Sequence, residues 1–335
     1  MKKNEIIFGD CLPVLRGMAD KSVDLVLTDP PYYRIVSEGW DRQWPTLGAF
    51  SAWVEEVGRE LARVLKPNGA LYWFCDDKVG AYCQVELDKH FRLLNNIVWK
   101  KPATLCAMSI NKGLRSFAIN TERCLFYEQK SAGGDSAAVG GGNPIKDYLR
   151  AERRKMMQAR GWTRLKDFEK WVCEVTGTRS KVAHHCWADS QWEMPTAKQY
   201  AEIQSGGFFR REYEVLRREY EALRRPWVNH PDAYEVLEFP LAAQPLIHPT
   251  QKPVELLSYL LERSAAPGAL VLDPFSGSGT TAVACHNLGL DFLCIEKDPD
   301  YHAASVARLE KHRAQGLLPL AAAPVAQQAE LCLGE

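Results

Sequence analysis

The stretch Ala269-Leu270-Val271-Leu272-Asp273-Pro274-Phe275-Ser276-Gly277-Ser278-Gly279-Thr280-Thr281 decides how this chain is read. A short apolar run predicts a strand, the Pro-Phe-Ser-Gly segment a turn, and the residues from Thr280 to near Gly289 a helix. Phe292 to Ile295 predicts the next strand, and Glu296 follows it. Gly277-x-Gly279-x-x-Ala282 between strand and helix lets backbone approach a nucleotide-like ligand, and a carboxylate at the next strand end can hold both ribose hydroxyls. The glycine spacing alone would also suit a dinucleotide or a tight packing turn. The order strand, glycine loop, helix, strand, acid favours an adenosine-type ligand.

Far upstream, Val23-Asp24-Leu25-Val26-Leu27 predicts a strand that ends in Thr28-Asp29-Pro30-Pro31-Tyr32. Such a strand delivers a carboxylate, a rigid carbonyl and an aromatic ring to one point. The two prolines lack N–H donors and fix the backbone, so the local carbonyls can face a donor-rich substrate. An exocyclic amine fits: Asp29 and the Pro30 carbonyl would accept its two hydrogens while Tyr32 stacks on the ring. A Pro-Pro turn that merely ends a strand is the plain alternative.

Between these segments, Trp53, Val54, Val57, Leu61, Val64 and Leu65 recur at helical spacing, and Pro67-Asn68-Gly69 is the expected stop. Gly69–Cys75, Leu93–Trp99 and Arg123–Tyr127 predict strands. The expected fold is α/β, a mostly parallel sheet covered on both faces. At 335 residues the chain is long enough for two domains, or for one with an insertion. Charged residues are 25%, with 42 basic against 42 acidic, which excludes collagen-like and wholly disordered classes. No apolar run reaches the ~20 residues of a membrane helix, and Met1-Lys2-Lys3-Asn4-Glu5 lacks a leader's apolar core. A cytoplasmic protein is expected. Its cysteines form no Cys-x-x-Cys pair, and His184-His185-Cys186 with Cys173 matches no zinc spacing, so no metal is expected.

Residues 145–229 carry 18 Lys/Arg against 12 Asp/Glu, while the remainder carries 24 against 30. A basic helical segment in an acidic frame points to a surface that meets a polyanion. The tandem heptads at 211–224 predict a helix packed on its own domain, with a dimer contact second. The Gly-rich segment 131–144 is expected to be a flexible loop, and 315–335 a disordered tail. The expected units are 1–130, then the loop, then the 145–229 insertion, then 230–314.

Thr28-Asp29-Pro30-Pro31-Tyr32, His248-Pro249-Thr250-Gln251-Lys252-Pro253 and Asp273-Pro274-Phe275-Ser276-Gly277-Ser278-Gly279-Thr280 together resemble the amino-DNA methyltransferases. Their order along the chain, a circular permutation, is similar to the β class. The resemblance spans about residues 5–130 and 245–314. It implies a Rossmann-like, seven-stranded, mostly parallel methyltransferase sheet with one antiparallel strand and a helical insertion. It also implies S-adenosylmethionine as donor and the N6 amine of a flipped adenine in double-stranded DNA as acceptor. Residue by residue, it assigns catalysis to Asp29, Pro30, Pro31 and Tyr32. Cofactor binding falls to Asp10, Cys11, Thr250, Gln251, Lys252, Asp273, Pro274, Phe275, Gly277, Gly279, Thr280 and Glu296. Asp10 and Cys11 enter because Gly9-Asp10-Cys11-Leu12 resembles the segment beside the cofactor adenine. Tyr33 stands where many β-class members have Asn.

The insertion falls where this class carries target recognition, and Ser190-Gln191-Trp192-Glu193-Met194-Pro195-Thr196 looks like inserts of phage and prophage methyltransferases. A short helix over Thr178–Trp187 would present Arg179, Lys181, His184 and His185 to DNA. Three rivals stand beside the adenine reading: an N4-cytosine enzyme of the same family, an inactive DNA-binding regulator, and an NAD dehydrogenase. Asp29 favours adenine, since Ser is more usual there in cytosine enzymes. The three intact motifs disfavour the regulator. The recognition sequence, a homodimer and a cognate restriction endonuclease are left open by the sequence.

Overall fold

The computed structural model describes residues 2–35, 38–102, 117, 119–130, 144–178, 187, 194–231, 233–243 and 245–315. Strand β1 (Glu5–Phe8) leads through α1 (Cys11–Arg16) to β2 (Val23–Thr28). Then come α2 (Leu47–Val64), β3 (Leu65–Cys75), α3 (Gly80–Leu87), β4 (Phe91–Lys100) and β5 (Thr121–Gln129). An inserted group holds α4 (Pro144–Ala159), α5 (Leu165–Thr176), α6 (Ala197–Gln204) and α7 (Tyr213–Leu223). The chain closes with β6 (Val236–Glu238), α8 (Val254–Ser264), β7 (Leu270–Asp273), α9 (Thr280–Asn287), β8 (Asp291–Glu296) and α10 (Pro299–Ala314).

The described strands form one sheet in the order β1-β8-β7-β2-β3-β5-β4-β6. Every pairing is parallel except β3–β5 and β4–β5, so β5 alone runs against the rest. This is the expected mostly parallel sheet, with eight strands in place of seven. The extra strand is β6, whose three residues pair with Val98–Lys100 at the β4 edge. Its residues alternate exposed, buried, exposed, but three residues are too short a run for a sequence reading to detect.

Two apolar layers cover the sheet. Helices α1, α2 and α3 pack on one face around Val54, Val57, Leu61, Trp73 and Leu125. On the other face, α8, α9 and α10 pack around Leu257, Leu260, Val283 and Leu309. The α2–β3 junction departs from expectation. The helix ends at Val64, and Pro67-Asn68-Gly69 lies within β3. Leu65 pairs with Val23 but Ala70 with Leu25, so the intervening residues bulge. A Cβ on Gly69 would lie 2.5 Å from the Leu65 side chain and 3.0 Å from the Asp24 carbonyl oxygen. Close strand approach, not helix termination, requires this glycine.

The insertion has its own core, with Ile145, Leu149, Met156, Phe168, Trp187, Tyr200, Phe209 and Leu216 buried together. Thr196 and Gln199 make a capping box at the start of α6, with Gln199 N–H donating to Thr196 Oγ1 at 3.3 Å and Thr196 N–H to Gln199 Oε1 at 2.8 Å. Leu216 and Tyr220 of α7 are buried in that same core, with Tyr213 and Leu223 against it. The heptads therefore pack on their own insertion. No described helix is long and apolar enough to cross a membrane.

Candidate active site

The chain leaves β2 toward β3 on one side and β7 toward β8 on the other, while β2 and β7 are neighbours. That reversal opens a crevice at the carboxyl ends of the strands, where ligands of α/β sheets bind. Thr28, the last residue of β2, donates through Oγ1 to Asp273 Oδ1 at 2.8 Å. The two motif loops, distant in sequence, are joined by that bond. They open into one cleft of about 1060 Å³, lined by Asp29–Tyr32, His248–Lys252, Asp273–Ser278 and Glu296 among others.

On the β7 side, Gly277 and Gly279 take left-handed φ values of +50° and +74°. A Cβ on Gly279 would meet Ser305 Cβ at 3.1 Å, so this glycine serves packing against α10 as well as the turn. Gly277 N–H donates to Glu296 Oε2 at 2.7 Å and Asp298 N–H to Oε1 at 2.8 Å. The carboxylate so held lines the cleft. Burial raises the Glu296 pKa against the hydrogen bonds from the Asp298, Gly277 and Lys297 backbone. Asp273 is turned inward: Thr28, Thr281 (2.6 Å) and the Phe275 N–H (3.1 Å) all donate to it. Burial pushes its carboxyl up to about 6. Asp273 thus shapes the loop from beneath. Thr280 Oγ1 likewise bonds within the fold, to the Lys252 carbonyl and Arg308. Pro274 and Phe275 line the cleft wall, where the Phe275 ring lies 5.4 Å from Trp53. Asp10 caps α1 by accepting from Leu12 N–H at 3.0 Å, and Cys11 beside it is buried, its thiol pushed up to about 12 by burial.

The His248–Pro253 segment is a turn bonded to itself. Ile247 N–H donates to Gln251 Oε1 at 3.1 Å, and Thr250 N–H to His248 Nδ1 at 3.4 Å, so Nδ1 is the acceptor nitrogen. The His248 ring packs 4.4 Å from Tyr301 and 5.2 Å from Trp40. Burial, then the Lys252 charge, drops its pKa to about 4, so it is neutral at neutral pH.

At Asp29 the turn delivers a buried ammonium. Lys252 Nζ lies 2.5 Å from Asp29 Oδ2 and 2.7 Å from Glu122 Oε1. Lys101 holds the other Glu122 oxygen at 2.7 Å. The Tyr32 hydroxyl touches both carboxyls, Asp29 Oδ1 and Glu122 Oε1. Burial and the nearby Glu122 charge raise the Asp29 pKa despite Lys252. For Glu122 burial pushes up too, but Lys252 and Lys101 outweigh it and hold the carboxyl at about 2.

The loop after the motif carries Tyr33 and Arg34 in succession at φ 65° and 61°. Asp41, fully buried, accepts from Tyr32 N–H at 2.7 Å and Ile35 N–H at 2.5 Å. It comes from the 3-10 turn Gly39–Asp41.

Sequence reading missed Glu122, Lys101 and Asp41. Glu122 had a signal: a carboxylate on the same strand face as Cys124 and Phe126, which are buried. Asp41 had none, since its function depends on the loop's fold. Arg179, Lys181, His184 and His185 lie outside the described residues, as does most of the 131–144 and 315–335 segments. Among the described residues no cluster of His, Cys, Asp and Glu is placed to hold a metal.

Comparison with known proteins shows the family. A family model described as DNA methylase, N6_N4_Mtase, matches residues 23–307. The Type II methyltransferase M2.DpnII of Streptococcus pneumoniae is 25% identical over 92% of this chain and 91% of its own length. The PvuII DNA methyltransferase, cytosine-N4-specific, has a TM-score of 0.52 at 14% identity, over 92% of this chain and 89% of that one. TTHA0409 of Thermus thermophilus, complexed with S-adenosyl-L-methionine, has a TM-score of 0.50 at 19% identity, over 92% and 93%. With the paired motif loops and the match across both halves of the sheet, the chain belongs to the N6_N4_Mtase family of DNA methylases.

Proposed function

We propose that this chain transfers a methyl group from S-adenosylmethionine to the N6 amine of an adenine in duplex DNA. One observation carries the reading: the Asp29-Pro30-Pro31-Tyr32 loop and the Gly277–Glu296 cradle face one cleft, joined by Thr28 and Asp273. The residues fit the donor. Glu296 is a carboxylate acceptor on the cleft wall for ribose hydroxyls, and a side chain at Gly277 would be strained at φ +50°. The cleft carries carboxylates at Asp10, Glu296, Asp298 and Asp300, which suits a cationic donor.

When bound, S-adenosylmethionine supplies an electrophilic methyl whose C–S bonding pair returns to sulfur. The chain acts on the acceptor. Asp29 and the Pro30 carbonyl accept the two amine hydrogens, which localises the nitrogen lone pair for in-line attack. As the C–N bond forms, positive charge grows on nitrogen, and the Asp29 carboxylate stabilises it. The alkylated nitrogen then sheds one proton, for which Asp29 is the adjacent carboxylate. Alignment by the two loops contributes much of the remaining rate. The base must leave the duplex to reach this depth, with Tyr32 stacking on it. The basic insertion, residues 145–229, contributes target recognition.

The test is incubation of duplex DNA with labelled donor, followed by nucleoside mass spectrometry. N6-methyl-2′-deoxyadenosine in wild type, lost in Asp29→Ala with donor binding retained, supports the reading. N4-methylcytosine would move the acceptor to cytosine, and an unmodified product would end the assignment. Loss of Asp29 is expected to cost at least ~10²–10³ in rate, on the scale of other charge-stabilising contacts.

A further inference from the structure

The charges packed around Asp29 support one step that rests on the amine-transfer reading. Lys252 is buried, 4% exposed at its side chain. An ammonium has three hydrogens to donate. Here they meet Asp29 Oδ2 at 2.5 Å, Glu122 Oε1 at 2.7 Å, and the Tyr32 hydroxyl at 3.2 Å or Thr250 carbonyl at 3.5 Å. No donor is left over for a cofactor. The Tyr32 hydroxyl has one proton for two carboxyls, so it cannot satisfy both. Two carboxylates this close cannot both stay ionised without a cation between them.

We propose that Lys252, anchored by Glu122, is a positioning residue that keeps Asp29 ionised for the target amine, and is not a cofactor contact. Among the described residues, the groups facing Asp29 come from four places. The turn before α8 supplies Lys252, and β5 supplies Glu122 and the buried Cys124 thiol. The motif loop itself supplies Tyr32, and β7 supplies Asp273. Lys101 acts through Glu122. Two negative and two positive side chains thus balance in the cluster Asp29, Glu122, Lys101 and Lys252. Removing Lys252 leaves an excess negative charge, and Asp29, already raised by burial, is the carboxyl that takes up a proton. Removing the Glu122 charge does the reverse. A protonated Asp29 has lost the charge that opposes the developing cation on nitrogen.

The two neighbours therefore make opposite predictions, which a merely structural role does not. Single-turnover methylation is measured from pH 5 to 9 in wild type, Lys252→Met and Glu122→Gln. Lys252→Met should move the acidic limb up by ~1 unit or more, the scale of an adjacent opposite charge. Glu122→Gln should move it down. Calorimetry with S-adenosylmethionine should give affinities within about twofold of wild type in both, since binding of the donor does not use this cluster. The ionisation is also read without turnover, from the pH dependence of the Asp29 carboxyl carbon resonance in aspartate-labelled protein. Limbs and resonance unmoved in both variants overturn the proposal. Lost donor affinity with an unmoved limb in Lys252→Met overturns it too, in favour of a cofactor contact. If Lys252→Met does not fold, the near-isosteric Glu122→Gln decides by the direction of its shift. The carbon titration stands whichever base is methylated, so a failure of the adenine reading is distinguishable from a failure of this one.

Discussion

Asp41→Ala should damage catalysis from a position that touches no reacting atom. The Asp41 carboxylate accepts two backbone N–H groups, from Tyr32 and Ile35, on either side of the left-handed pair Tyr33 and Arg34. Hydrogen bonds to a charged group contribute about 1.5–3 kcal/mol each. Left-handed conformations at non-glycine residues cost about 1–3 kcal/mol each. Two such bonds, about 3–6 kcal/mol together, offset a strain of similar size. Without Asp41 the loop relaxes out of its native conformation, and part of the loss returns as released strain. The expected net destabilisation is about 2–4 kcal/mol, read from the urea midpoint at constant slope. The larger consequence is kinetic. Tyr32 is the residue whose N–H is released, so the catalytic loop loses its register, and misplacement by about 1 Å costs ~10²-fold. Single-turnover rate at saturating donor is the assay. Asp41→Asn retains one carbonyl acceptor and should fall between wild type and Asp41→Ala in both measurements. A rate for Asp41→Ala within threefold of wild type, with stability within about 0.5 kcal/mol, would refute the loop-clamp reasoning.

Glu296→Ala should weaken S-adenosylmethionine binding by calorimetry, and Gly277→Val more severely, since it adds φ strain to lost space; unchanged affinity in both would reduce the glycine loop to a packing turn. His248 is neutral and partly buried, with its pKa dropped from 6.5 to about 4. The unfolded chain binds the extra proton between those values, so stability rises with pH there, and His248 contributes up to about 3 kcal/mol above pH 6.5 that is lost toward pH 4. His248→Gln should flatten the fall in urea midpoint between pH 7 and pH 5, and an equally steep fall would place its cause elsewhere. Replacing Arg179 and Lys181 with Ala should lower DNA affinity and shallow its salt dependence; unaltered affinity, slope and methylated sequence would move recognition to the Tyr33–Trp44 loop or the Arg-rich heptads.

The glycine loop, the Asp-Pro-Pro-Tyr motif, Glu296 and the alternating architecture were legible in the sequence because each is local. A strand followed by Gly-x-Gly and a helix is fixed by the chemistry of neighbouring residues. So was the packing of the 211–224 helix, whose apolar stripe needs only a surface to cover it. Tertiary structure decided what lies across the strands. β5 runs against the sheet, which brings its second residue, Glu122, to the carboxyl edge beside the end of β2. No residue near Glu122 records that strand direction. The meeting of Asp29 with Lys252, 223 positions apart, follows from β7 pairing with β2 rather than from any spacing. Asp41 clamps a loop whose left-handed pair no propensity favours, and Gly69 reads as a helix stop until the Asp24 carbonyl beside it is seen. Sequence carries the local conformation and the chemical groups; which buried charges share a cleft depends on strand order and direction, because only the folded sheet sets those distances.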